Sequence, residues 1–203
     1  MTTRPYESSA LLLADPNSRR IALARRENRL IAPQSRLERS DGAADGPAPR
    51  ISRARLGCAE GKAASFQDAA LRALYEELGQ LIARPALVGE SLPFGGGWGR
   101  LGRHRLAPER EALTYLGRAL DPSDAETRRH VRVFAAPLAK VSNSIKRRGR
   151  ADRIVWLTPD NAAHALEDPA LAPFLELALS ALGGRPRPLR VTFRAGQRVE
   201  TRL

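Results

Sequence analysis

The longest amphipathic pattern in the chain begins just after Ser65. Apolar side chains recur there at i, i+3, i+4, i+7 and i+11, which is the spacing of one helix face: Leu71, Leu74, Tyr75, Leu78 and Ile82. Ser65 and Asp68 have the spacing of a capping box, and Gly79 and Pro85 are typical of a helix end. The pattern therefore predicts a helix over Phe66–Ile82 with a buried apolar face.

Short apolar segments bounded by turn residues predict strands on both sides of this helix. Ser8–Ala14 and Arg20–Arg26 flank an Asp-Pro-Asn-Ser turn and predict a β-hairpin. Later segments predict further strands, the last of them a strand or an extended arm: Leu113–Leu120, Val131–Ala136, Arg153–Leu157 and Leu189–Leu203. Such strands, interrupted by helical segments, indicate a mixed α/β layer fold.

Two helices are predicted in the last third of the chain, and a loop is predicted near residue 50. One helix begins at Thr158-Pro159-Asp160, and the other covers Asp168–Leu182 and ends at a Gly-Gly pair. The segment 40–65 begins with Gly, Ala, Asp and Pro residues that offer little to bury, which predicts a loop or insertion. The glycine-rich segment Phe94–Gly99 is interpreted as a turn, because it lacks the lysine and the strand–loop–helix frame of a phosphate loop.

The charge of the chain favours anionic ligands. There are 34 basic and 22 acidic residues, giving a formal net charge of +12, and a basic excess of this size is common in proteins that bind polyanions. All but three of the basic residues are arginines, a bias that is also typical of a GC-rich genome. Phosphate-bearing ligands are therefore favoured in general, with RNA or another polyanion as a possible partner.

The sequence contains little to suggest a membrane or an oxidising compartment. No apolar run approaches the roughly 20 residues of a membrane-spanning helix, and the first residues lack the apolar core of a signal peptide. Cys58 is the single cysteine, which excludes a disulfide within the chain and a cysteine-based zinc site. We expect a cytoplasmic protein without a membrane partner, and the oligomeric state stays open.

The thirteen residues Gln67–Gly79 resemble the second half of the MutT/Nudix box, in which a helix carries Arg-Glu-apolar-x-Glu-Glu-x-Gly. The matching positions are Arg72, Leu74, Glu76, Glu77 and Gly79. The resemblance implies a Nudix-like α/β/α sandwich with a mixed sheet between helices, formed by one domain over residues 1–203. It is nearest to a subgroup, similar to coenzyme A diphosphatases, with an insertion before this helix. The glycine turn is then expected near Ser40-Asp41-Gly42.

The resemblance also implies a site. Nudix enzymes hydrolyse a phosphoanhydride of nucleoside diphosphate derivatives with two or three divalent ions, here Mg²⁺ or Mn²⁺. Glu76 and Glu77 would bind metal, Arg72 would orient them, and Asp152 would add a carboxylate from a late loop. Phosphate contacts are expected from the basic loop: Lys146, Arg147, Arg148 and Arg150.

Three departures from the family pattern weaken the catalytic interpretation. Ala73 and Ala64 stand where the family has glutamates, and Cys58 stands where it has the first glycine. The leading hypothesis is a divergent Nudix-type diphosphatase of reduced activity. The alternative is a catalytically inactive Nudix-fold module that binds a nucleotide or RNA, or serves as a scaffold.

Overall fold

A nine-stranded mixed sheet forms the centre of the protein. The computed structural model describes residues 5–42, 56–58, 62–92, 98–121, 129–142, 149–184 and 187–203. The strands of the central sheet are β1 (Tyr6–Asp15), β2 (Arg20–Arg26), β3 (Arg29–Ile31), β4 (Gln34–Arg36), β7 (Thr114–Asp121), β8 (Arg129–Pro137), β9 (Arg153–Leu157), β10 (Leu189–Arg194) and β11 (Gln197–Arg202). A separate two-stranded sheet joins β5 (Ala83–Pro85) to β6 (Leu106–Pro108).

β1 is the hub of the large sheet. The strand order is β11-β10-β7-β8-β1-β2-β3, with β4 paired to β1 and β9 paired to β2. β1 runs parallel to β8 over nearly its full length, and β10 runs parallel to β7, whereas the other pairs are antiparallel. The continuous apolar run Ala10–Ala14 is fully buried, as expected for a strand covered on both faces.

Four α-helices accompany the sheet within the described residues. They are α1 (Lys62–Leu78), α2 (Gly99–Arg103), α3 (Pro159–Ala165) and α4 (Pro173–Leu182), and two short 3₁₀ helices cover Arg110–Ala112 and Leu138–Lys140. α1 packs over β1 and β4 on one face of the sheet, while α4 packs over β7, β8 and β1 on the other. The two faces bury separate apolar clusters, so the fold is an α/β/α sandwich. None of the described helices is long and apolar enough to cross a bilayer.

The predicted elements agree with the structure in kind and differ at their ends. The N-terminal hairpin, the strand over Arg153–Leu157 and the two strands of the middle region are confirmed. The predicted tail strand is a hairpin, because Ala195 and Gly196 adopt positive φ angles and reverse the chain between β10 and β11. The last helix begins at Pro173 rather than Asp168, and residues 169–172 form turns instead.

The predicted capping of the long helix is wrong. The helix begins at Lys62, so Ser65 lies inside it and donates its hydroxyl to the Asp41 carbonyl at 3.0 Å. Asp68 is buried and pairs with Arg110 instead of capping the helix. The helix ends at Leu78 because Gly79 has a φ of +68°, and Ile82 continues the buried face outside the helix.

Candidate functional site

The candidate site lies at the C-terminal end of α1, where the last turn meets residues 149–152. The Arg150 and Ala151 amides donate to the Glu76 and Glu77 carbonyls at 2.8 and 3.0 Å, which satisfies two helix-end acceptors. A Cβ at position 149 would lie 2.1 Å from the Glu77 carbonyl oxygen, so the close approach requires Gly149. This glycine contact fixes the position of Arg150 above the two glutamates.

Arginines surround both glutamates of the helix. Arg26, at the end of β2, contacts the Glu77 carboxylate at 2.7 Å, and Arg150 contacts Glu76 at 3.2 Å and Glu77 at 3.6 Å. Arg72 lies 3.5 Å from Glu76, four residues further along the helix. The glutamate side chains are almost buried, at 8% and 6% exposure, whereas those of Arg150 and Arg26 are 56% and 40% exposed. The carboxylate charges are therefore neutralised by protein cations.

Arg72 belongs to a second, deeper set of contacts. Its guanidinium donates two hydrogen bonds to Asp41, at 3.1 and 2.9 Å, and one to the Arg36 carbonyl at 2.7 Å. The Glu38 carboxylate also contacts the Arg72 guanidinium, at 2.9 Å. Burial alone would lower the pKa of Arg72, but the bonds and negative charge of Asp41, with Glu38 and Glu76, outweigh it and raise the pKa. The side chain is thus held as a permanent cation in the core.

Asp41 and Asp68 anchor this core network. The Trp98 indole donates to Asp41 at 2.9 Å, and Asp68 accepts two bonds from Arg110, at 2.7 and 2.8 Å. Burial raises the pKa of Asp68 in spite of the opposing Arg110 charge. The Gly42 amide also donates to Asp68 at 2.8 Å, and a Cβ on Gly42 would meet the Ser65 hydroxyl at 2.4 Å. Gly42 lies in a turn with a φ of +82°, in the segment where the resemblance leads us to expect the glycine turn.

The residues at the end of α1 do not fit the cluster of divalent ions that the Nudix resemblance implies. Position 73, one of the missing family glutamates, is an alanine with no solvent exposure. Asp152 accepts a hydrogen bond from the Glu27 amide at 2.7 Å, which engages it in the turn between β2 and β3. Among the described residues, no group of three His, Cys, Asp or Glu side chains could hold a metal ion.

A cleft of about 420 Å³ opens beside Glu77. Its lining combines apolar and charged side chains: Arg26, Ile31, Ala32, Gln34, Glu77, Arg129, Glu167, Asp168, Pro169 and Leu171. Gln34 Oε1 and Arg26 Nε are buried and have no hydrogen-bond partner within the described residues. Orphaned buried polar atoms are costly unless something satisfies them, and both atoms belong to residues that line the cleft.

The structure brings together some of the predicted site residues and leaves others undescribed. Arg72, Glu76, Glu77 and Arg150 lie in one connected set of ion pairs, and Asp152 lies two residues beyond Arg150. Lys146, Arg147 and Arg148 lie outside the described residues, as does most of the Phe94–Gly99 segment.

Sequence reasoning missed Arg26, Asp41 as an anchor of Arg72, and Gln34. Arg26 lies at the end of a buried strand, and the sequence does not distinguish it from the many other arginines. Gln34 lies in a strand too short to show an alternation of apolar and polar residues. Their roles depend on contacts between distant parts of the chain.

Two solved structures show which known fold this is. A NUDIX hydrolase from Alicyclobacillus acidocaldarius aligns over 89% of this chain and 97% of that chain, with a TM-score of 0.62 and 16% identity. The mMutator MutT protein from Bacillus halodurans aligns over 93% and 88%, with a TM-score of 0.50 and 11% identity. No protein-family model matches the sequence, and no curated protein does. The chain thus has the Nudix fold, which confirms the resemblance at the level of the fold.

Proposed function

We propose that this chain is a Nudix-fold protein that binds a nucleoside diphosphate derivative without the metal-dependent hydrolysis of active Nudix enzymes. The fold by itself suggests a pyrophosphohydrolase. The observation that carries the proposal is that Arg26 and Arg150 already neutralise Glu77 and Glu76. A divalent ion would have to displace a guanidinium from each carboxylate and would gain no ligand from position 73.

The cleft beside Glu77 supports a ligand of this class. Its volume of about 420 Å³ lies within the range of small-molecule sites. Ile31 and Leu171 offer apolar walls, and the Gln34 amide offers a donor and an acceptor, a combination that suits the edge and face of a nucleobase. Arg26 retains guanidinium donors beyond those it gives to Glu77, and guanidinium groups match phosphate oxygens in geometry.

A slow diphosphatase is the second candidate. Glu76 and Glu77 remain side by side at the positions where the family motif has its metal ligands. Arg26 and Arg150 are partly exposed, so their side chains can turn into solvent without opening the core. A high concentration of Mn²⁺ could then compete for the two carboxylates, and hydrolysis would follow at a reduced rate.

Calorimetric titration with ADP, ADP-ribose and coenzyme A, in EDTA and again in Mg²⁺ or Mn²⁺, tests the proposal together with a turnover assay. We expect saturable binding of one of these ligands in EDTA, unchanged affinity with metal, and no turnover. Gln34→Met should weaken binding by about tenfold, or about 1.4 kcal/mol. Gln197→Met, the same change on the exposed β11, should leave binding unchanged.

Two outcomes would contradict the proposal. Turnover that requires Mn²⁺ and disappears in Glu77→Gln would establish the diphosphatase instead. Absence of binding of all three ligands, with and without metal, would remove nucleoside diphosphate derivatives from consideration and leave the scaffold alternative.

A further inference from the structure

A row of arginines crosses three neighbouring strands at a distance from the cleft. Arg132 on β8 pairs in register with Arg118 on β7, and Arg118 pairs with Arg190 on β10. The Arg132 guanidinium lies 4.2 Å from the centre of the Phe66 ring of α1, so the row faces the same side as α1. Arg194 follows four residues after Arg190 on the same strand and shares that face.

Few carboxylates of the described residues lie close to the arginines of this row. Arg132 is fully buried and contacts Glu7 at 3.3 Å, but Glu7 is shared with Lys62 at 3.6 Å. In the described part of the chain, no ion pair joins Arg118, Arg190 or Arg194 to a carboxylate. Like charges in directly opposed positions of a sheet are destabilising. A bound anion would therefore reduce the repulsion between these arginines.

Burial and the positive charges of this region lower the pKa of His130. It lies two residues before Arg132 on the same face, and partial burial together with the charges of Arg132, Arg118 and Arg190 lowers its pKa from 6.5 to about 3. The histidine is therefore neutral at physiological pH and does not add to the repulsion.

Two arginines of the row are held rigidly by the turn at Leu56 and Gly57. Arg132 donates to the Leu56 and Gly57 carbonyls at 3.2 and 3.0 Å. Arg118 lies directly against Gly57, where an added Cβ would be 1.6 Å from its Nη1 atom. Fixed guanidinium groups lose less entropy when they bind a phosphate.

The row is too extended for one phosphate group. Neighbouring strands are about 4.8 Å apart and residues rise about 3.3 Å along a strand. Arg132 and Arg190 are thus separated by about 10 Å, and Arg190 and Arg194 by about 13 Å. Cations distributed in this way match successive phosphates of a nucleic-acid backbone.

We propose that this basic face, formed by Lys62, Arg118, Arg190 and Arg194 over the buried Arg132, binds the phosphodiester backbone of single-stranded RNA. Neutral polar side chains lie opposite two of the arginines: Thr201 pairs with Arg190, and Gln197 pairs with Arg194. Such groups can exchange hydrogen bonds with ribose 2′-hydroxyls, which distinguish RNA from DNA.

The β10–β11 hairpin supplies a matched control for the test. Arg198 and Arg202 pair with Phe193 and Leu189, so they lie on the opposite face of the same hairpin. The experiment compares Arg190→Gln/Arg194→Gln with Arg198→Gln/Arg202→Gln. Both doubles remove two positive charges from exposed positions of the hairpin, the first on β10 and the control on β11.

Fluorescence anisotropy with a labelled 20-nucleotide oligouridylate, over a series of salt concentrations, measures the binding. We expect Arg190→Gln/Arg194→Gln to weaken binding at least about tenfold and to reduce the slope of log K against log salt by about 1.4, since each single-strand phosphate contact contributes about 0.7. The control double should keep the wild-type slope. Arg190→Lys/Arg194→Lys, which preserves the charge, should retain most of the affinity.

Three results would overturn the proposal: no RNA binding at low salt, equal losses in the two glutamine doubles, or equal affinity for the matching single-stranded DNA. None of these measurements involves the cleft beside Glu77. Failure here would therefore leave the proposed nucleotide site untouched, and failure of that site would leave this one.

Discussion

Two groups of ion pairs on α1 contain the same residue types but differ in their exposure to solvent. In the middle of the helix, Arg72 and Asp68 are almost fully buried, and their partners Asp41 and Arg110 are buried with them. At the end of the helix, Glu76 and Glu77 meet Arg150 and Arg26, whose side chains are partly exposed, and the cleft lies alongside. The first group is closed to solvent, whereas the second can exchange partners.

The difference separates a structural role from a binding role. The fork-like pairing of Arg72 with Asp41 and of Arg110 with Asp68 uses both carboxylate oxygens, so a ligand has nothing to contact there. Near the helix end, Gln34 Oε1 and Arg26 Nε remain without partners in the described residues. The resemblance gives Arg72 the role of orienting the glutamates, and its bonds to Asp41 also anchor it in the core.

The largest expected effect is on stability. Arg72→Ala leaves the buried Asp41 carboxylate without its cation, and breaking a buried pair in this way costs about 3–5 kcal/mol. Arg150→Ala removes a partly exposed partner and should cost under about 1 kcal/mol. Denaturant melts of the two variants measure both values. Similar losses in the two variants would contradict the distinction between the closed and the exchangeable group.

A smaller loss is expected where one hydrogen bond of the closed group is removed. Trp98→Phe deletes the indole donor to Asp41 but keeps an aromatic ring in the core. Loss of a bond to a buried charged acceptor costs about 1–3 kcal/mol. Trp156→Phe, at a half-buried position on β9, is the control and should change the free energy of unfolding less. An equal loss in the control would mean that ring volume, rather than the Asp41 bond, sets the cost.

The smallest effect concerns the pH dependence of stability near the basic face. The pKa of His130 is lowered from 6.5 to about 3 in the folded protein, so between these values the unfolded chain binds a proton that the folded chain does not. His130 therefore contributes to a loss of stability as the pH falls from 6.5 toward 3.

The variant His130→Gln isolates this contribution. Its free energy of unfolding should decrease less than that of the wild type between pH 7 and pH 4. His164→Gln on the exposed end of α3 should follow the wild type. If His130→Gln also follows the wild type, the positive potential around Arg132 is weaker than the structure indicates.

Most of the fold could be predicted from the sequence because its signals are local. The apolar run of β1, the turn after Asp15 and the amphipathic stripe of α1 each specify an element within a few residues. Helix ends were less predictable, since Ser65 and Asp68 have a capping spacing but are engaged by Asp41 and Arg110, which are distant in sequence.

The candidate site was only half predictable. The spacing of Arg72, Glu76 and Glu77 predicts a site at the C-terminal end of the long helix. The sequence could not show that Arg26 would reach Glu77, since that contact joins positions 51 residues apart. Position 149 requires glycine because its chain passes close to the Glu77 carbonyl. Such a contact between distant positions cannot be predicted from the sequence.

A titration of the protein with Mn²⁺, followed by electron paramagnetic resonance of the free ion, tests the central claim most directly. Because Arg26 and Arg150 neutralise the two glutamates, the wild type should show no saturable binding at micromolar to millimolar Mn²⁺. Arg26→Gln/Arg150→Gln should gain a weak site, which disappears again when Glu76→Gln and Glu77→Gln are added. Saturable Mn²⁺ binding by the wild type that is abolished by Glu76→Gln/Glu77→Gln would contradict the claim that arginines have replaced the metal ions.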